Sequence, residues 1–327
     1  MPGEPLSSQG SASVPAAESP LVEVRALSRM FGKIRALAGV DLDIPTGVVV
    51  GLVGANGHGK TTLIKHLLGL LRPQHGSVRV FGLAPDAHPA AVLSRVGYLS
   101  EHRDLPEWMR ISEYLRYTAA FYPRWDDAYA RELLATFRLD PTQRIKSLSK
   151  GMRAQVGLIG AVAHRPDLLV LDEPSTGLDA VVRKDILNAI VRAVAEDGRT
   201  VLFSSHLLDE VEMMSDRVVM INRGRVVLQG DLDDVKSNHL SIAVRFDATP
   251  KAFPQLDGLL EATRQGEVWQ TLWQADQELT CGRLQQVDGR VLSARHASLQ
   301  EIFVARAGRR AASLLEGSEA EEAKELT

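Results

Sequence analysis

Uninterrupted apolar runs alternate along the chain with stretches whose apolar positions recur at helical spacing. The run Val48-Val49-Val50-Gly51-Leu52-Val53 is continuously apolar and ends at a glycine. That pattern predicts a strand buried on both faces of a parallel sheet. Leu168 to Leu171 predicts a second such strand, and Thr200 to Phe203 and Arg217 to Ile221 two more. Ahead of them lie two short β-rich runs, Leu21 to Leu27 and Val40 to Ile44. Between strands the period changes. Thr61 to Leu71 reads as a helix, and Val182, Ile186, Ala189, Ile190 and Ala193 share one helical face. Strands alternating with helices predict a doubly wound α/β core.

Two regions depart from that alternation. Residues 103–165 lose the strand pattern and carry amphipathic helical ones, which predicts a helical subdomain inserted into the core. Residues 240–307 read as a small second domain: Ser241 to Phe246 alternates like a half-buried strand, and Ser298 to Val304 closes with a short helix. Residues 1–20, rich in Ser, Pro, Ala and Gly, predict a disordered leader, and 308–327 a tail of frayed helix or disorder.

Composition narrows the classes. The 327 residues are 45% hydrophobic, enough for one large domain with a smaller one beside it. A formal net charge of -3 lacks the basic excess of a nucleic-acid binder. The single cysteine, Cys281, forms no intrachain disulfide and fits a reducing cytoplasm. The longest apolar helical run, Val156 to Ala163, is far short of the ~20 residues that span a bilayer. If the protein works at a membrane, another chain crosses it.

The chemistry begins at Gly54-Ala55-Asn56-Gly57-His58-Gly59-Lys60-Thr61, a glycine, four residues, then Gly-Lys-Thr. This phosphate-loop (Walker A) spacing lets the backbone curl until successive N–H groups face phosphate oxygens, and the following helix adds its positive end. A flexible Gly-rich turn is the bland alternative, but the loop follows a buried strand and opens a helix, as nucleotide binding requires. Asn56, Gly57, His58, Gly59, Lys60, Thr61 and Thr62 are the candidate ATP-binding residues. Lys60 reaches the β- and γ-phosphates, and the Thr61 hydroxyl binds Mg²⁺. The strand Leu168 to Leu171 runs into Asp172-Glu173, delivering two carboxylates to the sheet edge where ligands bind. Asp172 is the candidate metal ligand and Glu173 the candidate catalytic residue that polarises the attacking water.

Leu148-Ser149-Lys150-Gly151-Met152, ahead of that strand, resembles the signature of the ABC (ATP-binding cassette) family, commonly Leu-Ser-Gly-Gly-Gln. Ser175-Thr176-Gly177-Leu178-Asp179 is similar to the family's D-loop, Ser205-His206 to its switch histidine, and Phe31 to the aromatic that stacks on adenine. The motifs cover residues 21–235 in the family's order. The resemblance implies a P-loop NTPase (RecA-like) core, a small antiparallel β subdomain and an inserted helical subdomain, together 21–236, with a small α+β domain after it. It implies ATP and Mg²⁺ as cofactors, His206 as a second catalytic residue, and Ser149, Gly151 and Asp179 as contacts to the nucleotide of a second cassette. Phe31 has core packing as its rival reading.

The sequence departs from the family pattern at Glu101, where the family places a metal-sensing glutamine, and at Lys150 and Met152. Glu101 is a further candidate metal ligand. These departures, with Ala297 to Val304, look similar to bacterial exporter-type cassettes. The resemblance thus implies an ATP-hydrolysing motor at the inner face of the membrane. Its expected partners are a second ATP-binding subunit, in a homodimer, and an integral membrane permease. The aromatic stretch that includes Trp108 reads as subdomain core or as the permease's docking groove. The rival function is a soluble ABC ATPase acting on nucleic acid or ribosomes; a single phosphate loop and no sustained heptads argue against it.

Overall fold

The computed structural model describes residues 19–102, 104–248 and 250–307; the expected leader and tail, over 1–18 and 308–327, lie outside them. The hairpin strands β1 (Val22–Phe31) and β2 (Ile34–Ile44) lead into β3 (Val49–Val53), α1 (Lys60–Leu67) and β4 (His75–Val80). Next come α2 (Pro89–Leu93), β5 (Val96–Leu99), α3 (Ile111–Ala119), α4 (Asp127–Thr136) and α5 (Lys150–Val162). The core resumes with β6 (Leu168–Asp172), α6 (Ala180–Asp197), β7 (Thr200–Ser205), α7 (Leu208–Met214), β8 (Arg217–Asn222), β9 (Arg225–Asp231) and α8 (Leu232–Ser237). The C-terminal part holds β10 (His239–Phe246), β11 (Leu259–Gln265), β12 (Val268–Gln274), α9 (Gln277–Gln286), β13 (Gly289–His296) and α10 (Leu299–Ala307).

The central six-stranded sheet has the order β5-β6-β7-β3-β8-β9. All its pairings are parallel except β8 with β9. Alternate residues of the apolar strands enter opposite layers. Val53, Leu171, Phe203 and Met220 pack with α5 and α7 on one face, while Leu52, Val170, Leu202 and Ile221 pack with α1 and the antiparallel sheet β2-β1-β4 on the other. On α6, Ile186 and Ile190 turn into the first layer. The side chains of Ala189 and Ala193, expected on that face, lie outside the described set.

The first helix stops at Leu67, four residues before the predicted end. The apolar periodicity continues, but Gly69 adopts φ of 71° and donates its N–H to the His66 carbonyl. A left-handed glycine of this kind closes a helix whatever the following side chains are.

Among the described residues no strand forms between β5 and β6; the stretch holds α3, α4 and α5, with one isolated bridge from Arg110 to Arg144. The C-terminal strands make a separate antiparallel sheet, β11-β12-β10-β13, around Leu240, Ile242, Val244, Trp269 and Trp273. Its closing helix α10 does not belong to that small core. Leu299, Ile302 and Phe303 join the main core beside Val211 and Val235, and the Leu299 N–H donates to Glu212 Oε1 at 2.9 Å. Each such side chain contributes about 1.5–3 kcal/mol on burial, so α10 ties the C-terminal part firmly to α7. No helix of the described residues is long and apolar enough to cross a membrane.

Candidate functional site

Strand register builds the site. Val53 pairs with Ser205, Asp172 with Ser204, and Leu99 with Leu171. The carboxyl ends of β3, β7, β6 and β5 are therefore level, and the loop after β3, His206, Glu173 and Glu101 leave the sheet at one edge. Ligands bind at such edges because the backbone ends and helix starts gather there.

The phosphate loop fills the turn from β3 into α1. Gly59 sits before the helix with φ of 108°, and a Cβ there would stand 2.6 Å from the Ala36 carbonyl oxygen of β2. Only glycine fits, which is the physical content of that motif position. Asn56, Gly57, Gly59, Lys60, Thr61 and Thr62 line a cavity of about 270 Å³ together with Glu101 and Glu173. His58 belongs to the loop but does not line the cavity. Burial, then the positive charges of Lys60 and Arg223, push its imidazole below the ordinary histidine value.

Glu173 is the centre of the polar network. Its carboxylate meets Lys60 Nζ at 2.9 Å and His206 Nδ1 at 2.7 Å, and all three side chains are buried. Lys60 also donates to the Gly54 carbonyl, and the Thr176 hydroxyl to Glu173 Oε2 at 3.1 Å. Burial pushes the Glu173 carboxyl up, but the His206 hydrogen bond and the Lys60 charge more than reverse this and hold it at about 2. It is therefore an ionised acceptor near neutral pH, and His206 Nδ1 donates to it. Glu173 also has φ of 49°, a left-handed conformation that side chains adopt at some cost and that aims its carboxylate across the strand ends.

Asp172 differs from its neighbour. Its Oδ1 accepts from the Ser204 hydroxyl at 2.7 Å, and Thr61 hydrogen-bonds the carboxyl as well. Burial is the main reason that its pKa is raised, with the adjacent Glu173 charge adding to it. Its Oδ2 is buried and has no hydrogen-bond partner. Such an oxygen beside a threonine hydroxyl, under a phosphate loop, fits a Mg²⁺ that is completed by phosphate and water. Glu101 is exposed at the rim of the cavity. The Tyr98 hydroxyl is pushed up to about 12 by burial and then by the charges of Asp172 and Glu101; Asp172 itself does not line the cavity. Among the described residues no three His, Cys, Asp or Glu side chains cluster as a metal cage. A two-carboxylate Mg²⁺ site needs none.

The remaining candidates lie apart. Ser149 caps the 13-residue helix α5, accepting from the Met152 N–H at 3.1 Å, and is itself exposed. Asp179 caps α6, its Oδ1 accepting from Val181 and Val182 at 3.0 Å each. Neither Ser149, Gly151 nor Asp179 lines the phosphate cavity. Phe31 ends β1 and is 45% exposed, so core packing is not its role; the Arg29 guanidinium lies 4.8 Å over its ring. The aromatic stretch divides: Tyr122 stacks on buried His164 and Trp125 packs on the core, while Trp108, Tyr117 and Phe121 are exposed.

Several residues of the site were not marked by sequence. Ser204 donates to the Asp172 carboxylate and accepts from the Glu173 backbone N–H at 2.9 Å, tying the end of β6 to β7. Two serines ending an otherwise apolar strand just before His206 were the available signal. Glu210 is 2% exposed and bonded to Ser175, Ser205 and Arg183. A glutamate in an ordinary surface-type helix pattern gives no such signal.

Comparison with known proteins agrees with this geometry. Residues 37–176 match the family model described as ABC transporter. The daunorubicin/doxorubicin resistance ATP-binding protein DrrA of Streptomyces peucetius is 36% identical over 222 residues, covering 66% of this chain and 67% of that protein. The ABC transporter ATP-binding protein YtrB of Bacillus subtilis is 28% identical over 288 residues, covering 88% of this chain and 98% of YtrB. A solved ATP-binding subunit of an ABC transporter superposes with a TM-score of 0.61 at 32% identity, covering 66% of this chain and 92% of its own. The strand-edge cradle, the acidic pair and the ordered motifs thus have one common account: the chain belongs to the ATP-binding proteins of the ABC transporter family and is an ATPase.

Proposed function

We propose that this ATPase is the motor subunit of an exporter, which pairs with a second copy around two ATPs and drives a separate membrane permease. The observation that carries the reading is the position of Ser149 and Gly151. Ser149 is the exposed cap of α5 and Gly151 is buried in its first turn, outside the cavity of the chain's own phosphate loop, and a helix start of this kind favours an anion. A second anion site on one face of a cassette serves the nucleotide of a facing copy. The resistance role in the name of the DrrA relative supports outward transport, and the exposed Trp108 supports docking of a permease segment.

In the proposed cycle the loop amides and Lys60 bind the phosphates, and Thr61, Asp172 and Glu101 would hold Mg²⁺. That ion, when bound, supplies neutralising charge to the β- and γ-phosphates. A phosphate that draws Lys60 competes with Glu173 for the ammonium group. Losing that cation raises the carboxylate's proton affinity and makes Glu173 a better acceptor for the attacking water. His206 fixes the carboxylate's orientation through the 2.7 Å contact. ATP closes the pair because each nucleotide binds the closed state better than the open one, and hydrolysis removes that preference.

The test is light scattering of Glu173→Gln protein with ATP and Mg²⁺, followed by affinity capture from gently solubilised membranes. A dimer that needs ATP, and a specific multi-span membrane protein in the eluate, is the expected result. A monomer at saturating ATP, or recovery of only soluble protein or nucleic acid, overturns the reading.

A further inference from the structure

We propose that Glu210 is a positioning residue for ATP hydrolysis, setting the contact between Glu173 and His206 by joining the two segments that carry them. The inference rests on the proposed role of Glu173 in polarising the water.

Glu173 leaves β6 and His206 leaves β7, so their 2.7 Å contact bridges two separate loops. Nothing in the strand register alone fixes where those loops go. Glu210, on α7, spans both. Its Oε2 accepts from the Ser175 hydroxyl at 2.8 Å, two residues beyond Glu173, and from the Ser205 hydroxyl at 3.0 Å, one residue before His206. Its Oε1 meets Arg183 Nε at 2.5 Å, in the first turns of α6. The segment from Glu173 to Asp179 is therefore held at Ser175 and, through Arg183, at the helix it enters. Ser205 is fixed further by accepting from the Leu207 N–H at 3.0 Å.

Burial shows that the arrangement is more than a surface ion pair. Glu210 is 2% exposed, Ser175 3% and Ser205 1%. A buried carboxylate–guanidinium pair is a poor source of stability, since well-packed apolar residues of the same size often do as well or better. What a multiply bonded carboxylate supplies is a fixed geometry, and three hydrogen bonds converging on one carboxylate leave the two loops little freedom to slide. A displacement of one ångström at reacting groups lowers rates by about 10²-fold, so a staple at this place acts on turnover rather than on nucleotide affinity.

The experiment compares full-length wild type with Glu210→Gln, Ser175→Ala, His206→Ala and the double variant Glu210→Gln/His206→Ala. The readouts are steady-state kcat and KM for ATP, Kd for a fluorescent ATP analogue, and thermal unfolding. The expected result for Glu210→Gln is a kcat lower by about 10–100-fold with Kd within about threefold of wild type; Ser175→Ala shifts kcat in the same direction and less. The double variant is no slower than His206→Ala alone, because a residue acting through that contact has nothing left to position. A folded Glu210→Gln with kcat within about twofold of wild type, or losses that multiply in the double variant, overturns the proposal. Should Glu210→Gln not fold, Ser175→Ala decides: unchanged kcat there is the overturning outcome. Glu173→Gln measured alongside separates the two readings. Fast turnover in Glu173→Gln defeats the role of Glu173, whereas slow Glu173→Gln beside fast Glu210→Gln defeats the positioning role alone.

Discussion

Replacing Glu173 by glutamine tests stability and chemistry together, and the structure gives a magnitude for the first. The carboxyl is held at about 2 against an ordinary value of 4.5, because the hydrogen bond to His206 at 2.7 Å and then the charge of Lys60 at 2.9 Å outweigh the effect of burial. A depressed acid stabilises the fold at pH above its unfolded value and loses that contribution as pH falls through its folded value. The window here runs from pH 4.5 down to about 2. That difference corresponds to about 3 kcal/mol at neutral pH, falling to about half of that near pH 3. Glutamine keeps the shape and an acceptor for Lys60 but loses the charge, so the expected loss is about 1–3 kcal/mol at pH 7. Urea unfolding of both proteins without nucleotide, in steps from pH 7 to pH 3, measures it, and the gap between the two stability curves should shrink to about half by pH 3. In the same variant, phosphate release slows by about 10²–10⁴-fold while ATP still binds. Equal stabilities at pH 7, or a gap that does not narrow with acid, refute the electrostatic account; near-wild-type turnover refutes the assignment of the base.

Three further outcomes follow from named features. Gly59→Ala places a Cβ 2.6 Å from the Ala36 oxygen at φ of 108°, a strain of about 1–3 kcal/mol, and should weaken ATP analogue binding at least about tenfold in a fluorescence titration. Trp108→Ala removes a side chain that is 72% exposed, so urea unfolding should move by no more than about 0.5 kcal/mol. Nucleotide binding should persist while capture of the membrane partner falls; loss of both assigns Trp108 to the core. His164 is fully buried and its imidazole is pushed down to about 4, by burial above all. A depressed base stabilises above its unfolded value of 6.5 and loses that contribution as pH drops towards 4. Stability should therefore fall by about 2 kcal/mol between pH 7 and pH 5, with a flatter profile in His164→Gln.

The sequence by itself determined the sheet, the phosphate loop and the acidic strand end. These are local: an apolar run with both faces buried excludes other elements, and a loop that must curl around phosphate admits few residues. His206 is marked by the family resemblance, and the strand register brings it to the same edge as Glu173. Tertiary structure alone decided the rest. Helix α1 ends at a left-handed glycine although its apolar period runs on. Phe31 is exposed while most of its neighbours in composition are core, and the aromatic stretch near Trp108 divides between packing and surface. Helix α10 closes the C-terminal sheet in sequence but packs its apolar face on the ATPase core. Glu210 looks like any solvated helix glutamate until Ser175, Ser205 and Arg183, from three separate segments, arrive around it. Periodicity reports which residues are buried along one element; it carries no record of which distant groups meet there, and the partners of a buried charge are fixed only when the chain has folded.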